Sequence, residues 1–434
     1  MKIIPLRPAP TPGEGPTAAR KPERWRAARL LTAPHRMGFF AAAVWLAASA
    51  LWWAVVLATR QAGVMLPFAV PMIVAHGLLM SLSFMPLFIV GFLFTAGPKW
   101  LGLPDVPASS LLRPVLALGG GFGLALVGFH VAAPLAGFGV AVAAVGWTVL
   151  MGRFLRLLRA SPAPDQLHAR WVAAAGGVGS LAMLMGAVGL AWGQVPLARA
   201  AAQLALWGFL APTVTVVSHR MLPFFTTSAL PFLHAWRPNW LLAAMGGALA
   251  VTAVGATAEA LVGTLGMAAH ATLLAVQAPA AVLVLWLALR WGLVHSLRIR
   301  LLAMLHGGFV WLGVALALAA LSHARMLWTG GAESLGLAPL HALTMGYLGA
   351  TLMAMITRVA AGHSGRPLAA DRLAFGLYLA LQAAALSRVA AALWPGGPVA
   401  LTLLAAAAWT LACVGWAWRY GAWLGQPRAD GRPG

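Results

Sequence analysis

Two histidines, His341 and His363, stand at the ends of one apolar segment in the stretch HALTMGYLGATLMAMITRVAAGHSGRPL of residues 341–368. Imidazole is a common protein ligand for haem iron, copper and zinc. The two residues are 22 positions apart, and a continuous helix of that length measures roughly 33 Å. One metal ion therefore cannot take both as ligands. The two histidines belong to different sites, unless one of them is purely structural.

Histidine is the only plausible residue type to supply several metal ligands, because the 17 methionines are mostly expected to serve membrane packing. The chain has 12 histidines, one cysteine (Cys413) and 8 acidic residues, of which only Glu259 falls in a predicted membrane span. A single cysteine excludes an intrachain disulfide and a thiolate cluster. A lone glutamate gives little support to a proton- or cation-coupled transporter, because that class usually carries several buried carboxylates.

The composition is that of a membrane protein, since 61% of the 434 residues are hydrophobic and only 9% are charged. Many apolar runs are long enough to cross about 30 Å of hydrocarbon, and they lack the alternation typical of a β-barrel. The sequence predicts an all-α fold, a single polytopic bundle of about twelve transmembrane helices within residues 35–420. The predicted spans are 38–59, 67–96, 114–133, 136–152, 171–192, 200–218, 240–263, 270–290, 301–321, 338–357, 372–393 and 398–418.

The distribution of basic residues predicts the orientation of this bundle. Of the 29 Lys and Arg residues, only Arg60, Arg199 and Arg325 fall in predicted outer loops, and Arg388 falls within a span. Loops rich in Lys and Arg stay on the cytoplasmic side of the membrane. Both termini are therefore predicted to be cytoplasmic.

The two ends of the chain and its net charge complete this prediction. Residues 1–34 are rich in Pro and Arg and are predicted to be a disordered basic cytoplasmic tail, and residues 421–434 a short C-terminal tail. The net charge of +21 is spread over many loops, so nucleic acid is not a predicted partner. The predicted partner is the lipid bilayer.

The predicted topology places His76 of span 2 and His341 of span 10 in the same outer half of the membrane. A haem with two axial imidazoles needs histidines from two helices at similar depth, and we predict this pair as the axial ligands. The alternative is that each is a buried histidine hydrogen-bonded to a neighbouring helix. Gly346, Ala350 and Ala354 form a stripe of small residues on span 10. Such a stripe would admit a flat ring or serve close helix packing.

A second metal site is predicted near the inner side. His306 lies early in span 9 and is followed by two glycines, where backbone or a cofactor could come close. His219, His35 and His363 are predicted on the same side and join it as candidates, although each alone would be an interfacial residue. The remaining histidines are interpreted as interfacial or loop residues: His130, His168, His234, His270, His295 and His323.

Other catalytic motifs are missing from the sequence, which shows no P-loop, dinucleotide-binding glycine pattern, HExxH or nucleophile elbow. The glycine-rich GGGFG at 119–123 falls within a span. There it is predicted to allow close helix contact.

Five motifs together resemble the NnrS family: PHRMGFF before span 1, GFLFTAGPKWLG closing span 2, HRMLPFFT after span 6, the 341–368 stretch, and the terminal PRADGRPG. The resemblance covers nearly the whole chain from about residue 35. It implies a bacterial cytoplasmic (inner) membrane protein with twelve spans that carries haem and copper. The motif residues in this sequence are His35, Arg36, His219, Arg220, Pro223, Phe224, Phe225, Thr226, Thr357, Arg358, Val359, Gly362, His363, Gly365, Arg366 and Pro367.

The resemblance also implies a role in nitric oxide metabolism or in resistance to nitrosative stress, in denitrifying bacteria and elsewhere. In one respect this sequence departs from the family, whose members tend to read His-Glu-Met where it has His76-Gly77-Leu78. A redox protein acting on nitric oxide would also need an electron donor. The alternative is a membrane transporter, or a metal- or haem-handling factor of the same stress response, without redox chemistry of its own. A third interpretation is a sensor or structural partner without a cofactor.

Overall fold

The computed structural model describes residues 24–394 and 396–431. The structure is 80% helical, and no strand occurs among these residues. Twelve helices are long and apolar enough to cross a membrane, which confirms the predicted fold class and span number. Spans 1 to 12 are Pro34–Gln61, Met72–Trp100, Ala108–Val131, Ala133–Ala160, Leu167–Ala191, Val195–Ala229, Asn239–Val262, Met267–Arg290, Arg300–Trp328, Ala338–His363, Arg372–Leu393 and Val399–Leu424. The orientation of the termini stays a prediction.

The first helix begins at Pro34, so His35 lies inside span 1 and not before it. Proline suits the first turn of a helix, where its missing N–H would have no intrahelical acceptor. Of the predicted N-terminal tail, residues 1–23 lie outside the described residues, and the part that follows contains the short 3₁₀ helix Ala27–Leu31.

Spans 2, 6 and 10 are the most enclosed of the twelve. In their most apolar windows 78%, 72% and 67% of the residues are buried, against 61% for span 9, the next in order. The outer spans pack mainly on their sequence neighbours, and span 1 packs on span 12. These contacts arrange the other helices around an inner set of three, spaced four spans apart in the sequence.

Each of the three inner spans is interrupted. Span 2 consists of Met72–Leu82 and Met85–Trp100, and Pro86 leaves the Leu82 carbonyl without its usual helical donor. Spans 6 and 10 each contain a π-helical segment, Leu204–Leu210 and Ala342–Gly349. Pro212 follows the first segment and likewise cannot donate to Gly208. Segments of this kind are frequent at functional sites.

Glycines allow spans 3 and 4 to pack closely, which is the role predicted for the GGGFG sequence at 119–123. A Cβ added at Gly121 would lie 2.5 Å from the Ala143 backbone nitrogen, whereas one added at Gly120 would meet nothing within 4 Å. At Gly128 the corresponding distance to the Ala136 nitrogen is 2.2 Å. The two backbones touch along this line because no side chain separates them.

Span 11 begins at a capped end. The Asp371 carboxyl accepts a hydrogen bond from the Ala374 amide at 2.9 Å and pairs with Arg419 of span 12. Burial alone would raise the pKa of Asp371, but the Ala374 amide and the Arg419 guanidinium together hold that pKa below its usual value. The cap is therefore charged at neutral pH, and its contribution to stability is lost as the pH falls through the lowered pKa.

Several family-motif residues join the start of span 1 to the C-terminus. The buried Arg36 donates to the carbonyls of Leu424 at 2.9 Å and Gln426 at 2.8 Å. Arg366 donates to the Gln426 side chain at 2.9 Å, and the Ala429 amide to the Ser364 carbonyl at 2.8 Å. These contacts fix the C-terminal segment against the loop that follows span 10.

We expect Arg36→Ala to release this C-terminal segment, because two carbonyls would lose a charged donor. A cost of about 1–3 kcal/mol is typical for such a loss. Faster proteolysis of a C-terminal tag and a lower melting temperature would show it. Arg372→Ala is the matched control, since this arginine is exposed at the same membrane face. Equal protease resistance in the two variants would contradict the role of Arg36.

Candidate cofactor site

His76 and His341 lie at the same end of two inner spans, four residues after Met72 and three after Ala338, where those spans begin. His341 is close enough to act electrostatically on His76. Arg388 of span 11 acts on both rings. The structure therefore places the two residues predicted as axial ligands at the same end of their spans and within electrostatic reach of each other, each on its own helix. We call these two residues the outer histidine pair.

Both rings of the outer histidine pair have a nitrogen free to bind a ligand. The Nδ1 of His341 lies 2.9 Å from the Leu337 carbonyl, so Nδ1 carries the proton and Nε2 keeps its lone pair. His76 stacks on Trp53, with centroids 3.8 Å apart, and its Nδ1 is buried without a hydrogen-bond partner. Among the described residues neither ring is hydrogen-bonded to another helix. An oriented imidazole with an unused lone pair is how proteins present a ligand to a metal.

The space inward of the outer histidine pair is apolar. A cavity of about 20 Å³ lies between spans 1, 2, 10, 11 and 12. Its walls include Phe84 and Gly349, each eight residues further along its span than His76 and His341, or about 12 Å along a helix. This cavity has room for about one water molecule and does not itself hold a porphyrin. What fits a haem is the chemistry of the donors, two imidazoles on separate helices, of which the His76 ring has a buried nitrogen without a hydrogen-bond partner.

The small-residue stripe on span 10 serves helix packing. A Cβ added at Gly346 would lie 2.4 Å from the Trp311 ring of span 9, and one added at Gly349 would lie 3.1 Å from Trp409 of span 12. Ala350 and Ala354 are fully buried. Of the two interpretations of this stripe, the contacts at Gly346 favour close packing.

His306 is buried, and its hydrogen-bond partner is a threonine and not another of the second-site histidines. Its Nε2 lies 3.0 Å from the Thr226 hydroxyl, which itself donates to the Leu222 carbonyl, so His306 is the donor and its Nδ1 remains buried without a partner. The space beside the two glycines that follow, Gly307 and Gly308, is occupied by other side chains of the protein. Added Cβ atoms would lie 2.3 Å from the Tyr378 hydroxyl and 2.4 Å from Thr351 Oγ1.

His35 and His363 are brought together, with ring centroids 4.2 Å apart. His35 is buried, and its Nδ1 has no hydrogen-bond partner. Arg36, Lys99 and Arg428 all act electrostatically on these rings. The pair could offer two imidazoles to a metal, but three neighbouring cations, partly offset by Asp105, oppose the binding of a bare metal ion.

His219 pairs with His168, which is interpreted from the sequence as an interfacial or loop residue but is buried. Its Nδ1 accepts from Nε2 of the buried His168 at 3.0 Å, because its own Nε2 faces the Pro238 carbonyl at 3.3 Å. At the opposite end His270 and His323 form a similar pair, with their Nδ1 atoms 2.9 Å apart. Periodicity did not reveal these partners, since each pair joins two helices. Among the residues that the structure describes, no group of three or more His, Cys, Asp and Glu could hold a metal.

The other motif residues mainly make structural contacts. Arg358 lies over the Phe225 ring at 4.0 Å and Arg220 over the Trp100 ring at 4.7 Å. Thr357 accepts from the Trp416 indole at 2.9 Å. The remaining members are placed as follows: Pro223 within span 6, Phe224 exposed on its surface, Val359 half-buried in span 10, Gly362 at the end of span 10 against Leu368, Gly365 with φ +69° against Asp430, and Pro367 exposed in the loop.

Gly77, where the family tends to carry glutamate, faces span 6. A Cβ at this position would make an ordinary contact of 3.5 Å with the Ala202 side chain. The backbone therefore leaves room for a side chain to begin here, and the glycine is not required by the packing.

A second apolar cavity, of about 60 Å³, lies between the three inner spans. Spans 2, 6 and 10 supply most of its wall, with Phe39 of span 1 and Val172 of span 5 completing it. Its lining contains no ionisable side chain and no histidine. Cavities of this kind stay dry and accept small apolar molecules.

Fold and site together define a class: polytopic α-helical membrane proteins in which histidines from separate helices pair within the bundle. Within that class the chain belongs to the NnrS family, because the model of that family, described as NnrS protein, matches residues 29–428 of the 434. No curated protein matches the chain significantly.

Proposed function

We propose that this chain is an integral haem protein of the bacterial cytoplasmic membrane that takes part in nitric oxide metabolism or in resistance to nitrosative stress. Membership of the NnrS family supports the link to nitric oxide. The proposal that the chain binds haem rests on the outer histidine pair, two imidazoles with unused lone pairs at similar depth on separate spans.

The roles of the chain's own residues follow from their contacts. His76 and His341 would hold the haem, and Trp53 and the Leu337 carbonyl would fix the orientation of the two imidazole rings. When bound, the haem supplies an iron that changes oxidation state, and an electron donor would be needed to reduce it. The apolar walls exclude water and so influence the redox potential of the iron.

Copper fits the described residues less well than haem does. The histidine pairs offer two imidazoles each, which suits only two-coordinate cuprous ion, and cations surround the His35–His363 pair. Copper therefore stays an expectation from the family, and its binding at His306, His219, His35 or His363 stays a prediction from the sequence. We include only haem in the proposed function.

Nitric oxide also suits the interior of this bundle. It is small, neutral and soluble in lipid, so it needs no charged channel. The apolar cavity between the inner spans would admit a molecule of that kind from the bilayer. This supports a small neutral substrate over an ion.

An absorption spectrum with metal analysis of the detergent-purified protein tests this proposal. We expect a Soret band that shifts on reduction and on addition of nitric oxide, with stoichiometric iron. A colourless protein that carries a substrate across vesicle membranes would instead establish the transporter alternative. A protein with neither colour nor flux would favour a sensor or structural partner.

A further inference from the structure

Arg388 is a cation within a membrane span. It lies in span 11, five residues before Leu393, where that span ends. No carboxylate of residues 24–394 or 396–431 forms an ion pair with it; the pairs found there are Arg325–Glu333, Arg419–Asp371 and Arg428–Asp430. An ionisable residue inside a membrane span is costly and indicates a functional partner.

The backbone places Arg388 at the level of the outer histidine pair. A Cβ added at Gly336 would lie 3.9 Å from the Ala392 carbonyl, so these two positions are level with each other. His341 follows Gly336 by five residues, and Arg388 precedes Ala392 by four. Spans 10 and 11 run in opposite directions, so both residues lie on the same side of that contact and at similar depth. Arg388 accordingly acts on both His76 and His341.

The charge of Arg388 selects among the ligands that two imidazoles could hold. A bare copper or zinc ion beside an uncompensated guanidinium would be repelled, and no carboxylate nearby offsets this repulsion. A metal that arrives with its own acidic groups would be attracted. A haem is such a ligand, because it carries two propionates, and a guanidinium binds a carboxylate through two parallel hydrogen bonds.

We propose that Arg388 is the propionate-binding residue of the outer histidine pair, and that the haem carboxylates therefore point towards the predicted outer face. Arg388 is a positioning residue: it fixes the orientation of the porphyrin and adds positive charge near the iron. This inference rests on the proposed haem function. The competing partner for Arg388 is a lipid phosphate, which a long arginine side chain near the end of a span can reach.

Haem and its dimethyl ester distinguish these two partners, because the ester has the same ring and iron but no carboxylates. Protein freed of haem would be titrated with each compound in the same detergent. We expect the wild type to bind haem at least about tenfold more tightly than the ester, equivalent to about 1.4 kcal/mol. Arg388→Gln should remove this preference, and Arg388→Lys should retain part of it.

Two further measurements sharpen the test. The midpoint potential of Arg388→Gln should be lower than that of the wild type, because the lost positive charge disfavoured the ferric state. Arg60→Gln is the matched control: Arg60 is exposed at the predicted outer end of span 1, so its replacement should change neither binding ratio nor potential.

The possible results separate the two proposals. If the wild type binds haem and its ester equally, Arg388 does not hold a propionate, while the haem function stands. The same conclusion follows if Arg388→Gln keeps the wild-type preference. If the wild type binds neither compound, the haem function and the role of Arg388 both fail.

Discussion

Replacing His76 or His341 with alanine is expected to remove most of the haem from the purified protein. Each substitution deletes one axial ligand, and no histidine among the described residues is placed to replace it. Losing even an outer-shell partner weakens metal binding about 10- to 100-fold, and losing a ligand should cost at least as much. The ratio of Soret to protein absorbance, with iron analysis, measures the loss. Both variants should still insert, since alanine is well tolerated in a membrane helix.

His130→Ala provides the matched control for these variants. His130 is at the same predicted face, but both its nitrogens are engaged, with the Trp52 indole at 2.9 Å and the Pro67 carbonyl at 2.7 Å. We expect this variant to keep its haem and to lose only some stability. A full wild-type spectrum in both His76→Ala and His341→Ala would show that the ligands are elsewhere.

The second large effect is expected from Gly121→Val, which should prevent spans 3 and 4 from packing. The new side chain would start 2.5 Å from the Ala143 backbone nitrogen, and backbone cannot move aside as a flexible side chain can. Overpacking typically costs about 1–3 kcal/mol, and we expect this substitution at the upper end of that range because the obstacle is backbone. Thermal unfolding followed by fluorescence-detected size-exclusion chromatography would measure it as a lower melting temperature or as aggregation.

The neighbouring Gly120 allows a close comparison, because a Cβ there meets nothing within 4 Å and the residue is exposed on the outside of the bundle. Gly120→Val adds the same side chain to the same helix, so helix propensity and hydrophobicity change equally. We expect it to behave like the wild type. Similar losses in the two variants would mean that helix propensity, and not the contact with Ala143, determines stability here.

The sequence was sufficient for the features that depend on one helix at a time. The length of the apolar runs predicted the twelve spans, which the structure confirms. Depth along each span predicted that His76 and His341 lie at one level, and the structure places both near the same end of their spans. Their role as haem ligands stays a prediction. Glycines in a membrane span predicted close packing, and Gly121 shows it.

What the sequence could not provide were contacts that depend on how helices rotate against one another. The candidates for the second site share one predicted face, yet His35 faces His363, His219 faces His168, and His306 faces Thr226. An interruption within an inner span changes the direction of every later side chain, and the apolar pattern does not record it. The pairing of imidazoles is therefore a property of the assembled bundle.

The π-helical segment Ala342–Gly349 also governs the alignment of the two ends of span 10. It holds one residue more than a regular turn would, and each residue of an α-helix turns the chain by about 100°. Deleting a single position would straighten the segment, but it would swing everything beyond it around the axis, carrying Thr357 away from Trp416 and His363 away from His35. The extra residue thus sets the rotation of one half of the helix relative to the other, so that His341 faces one set of neighbours and His363 another.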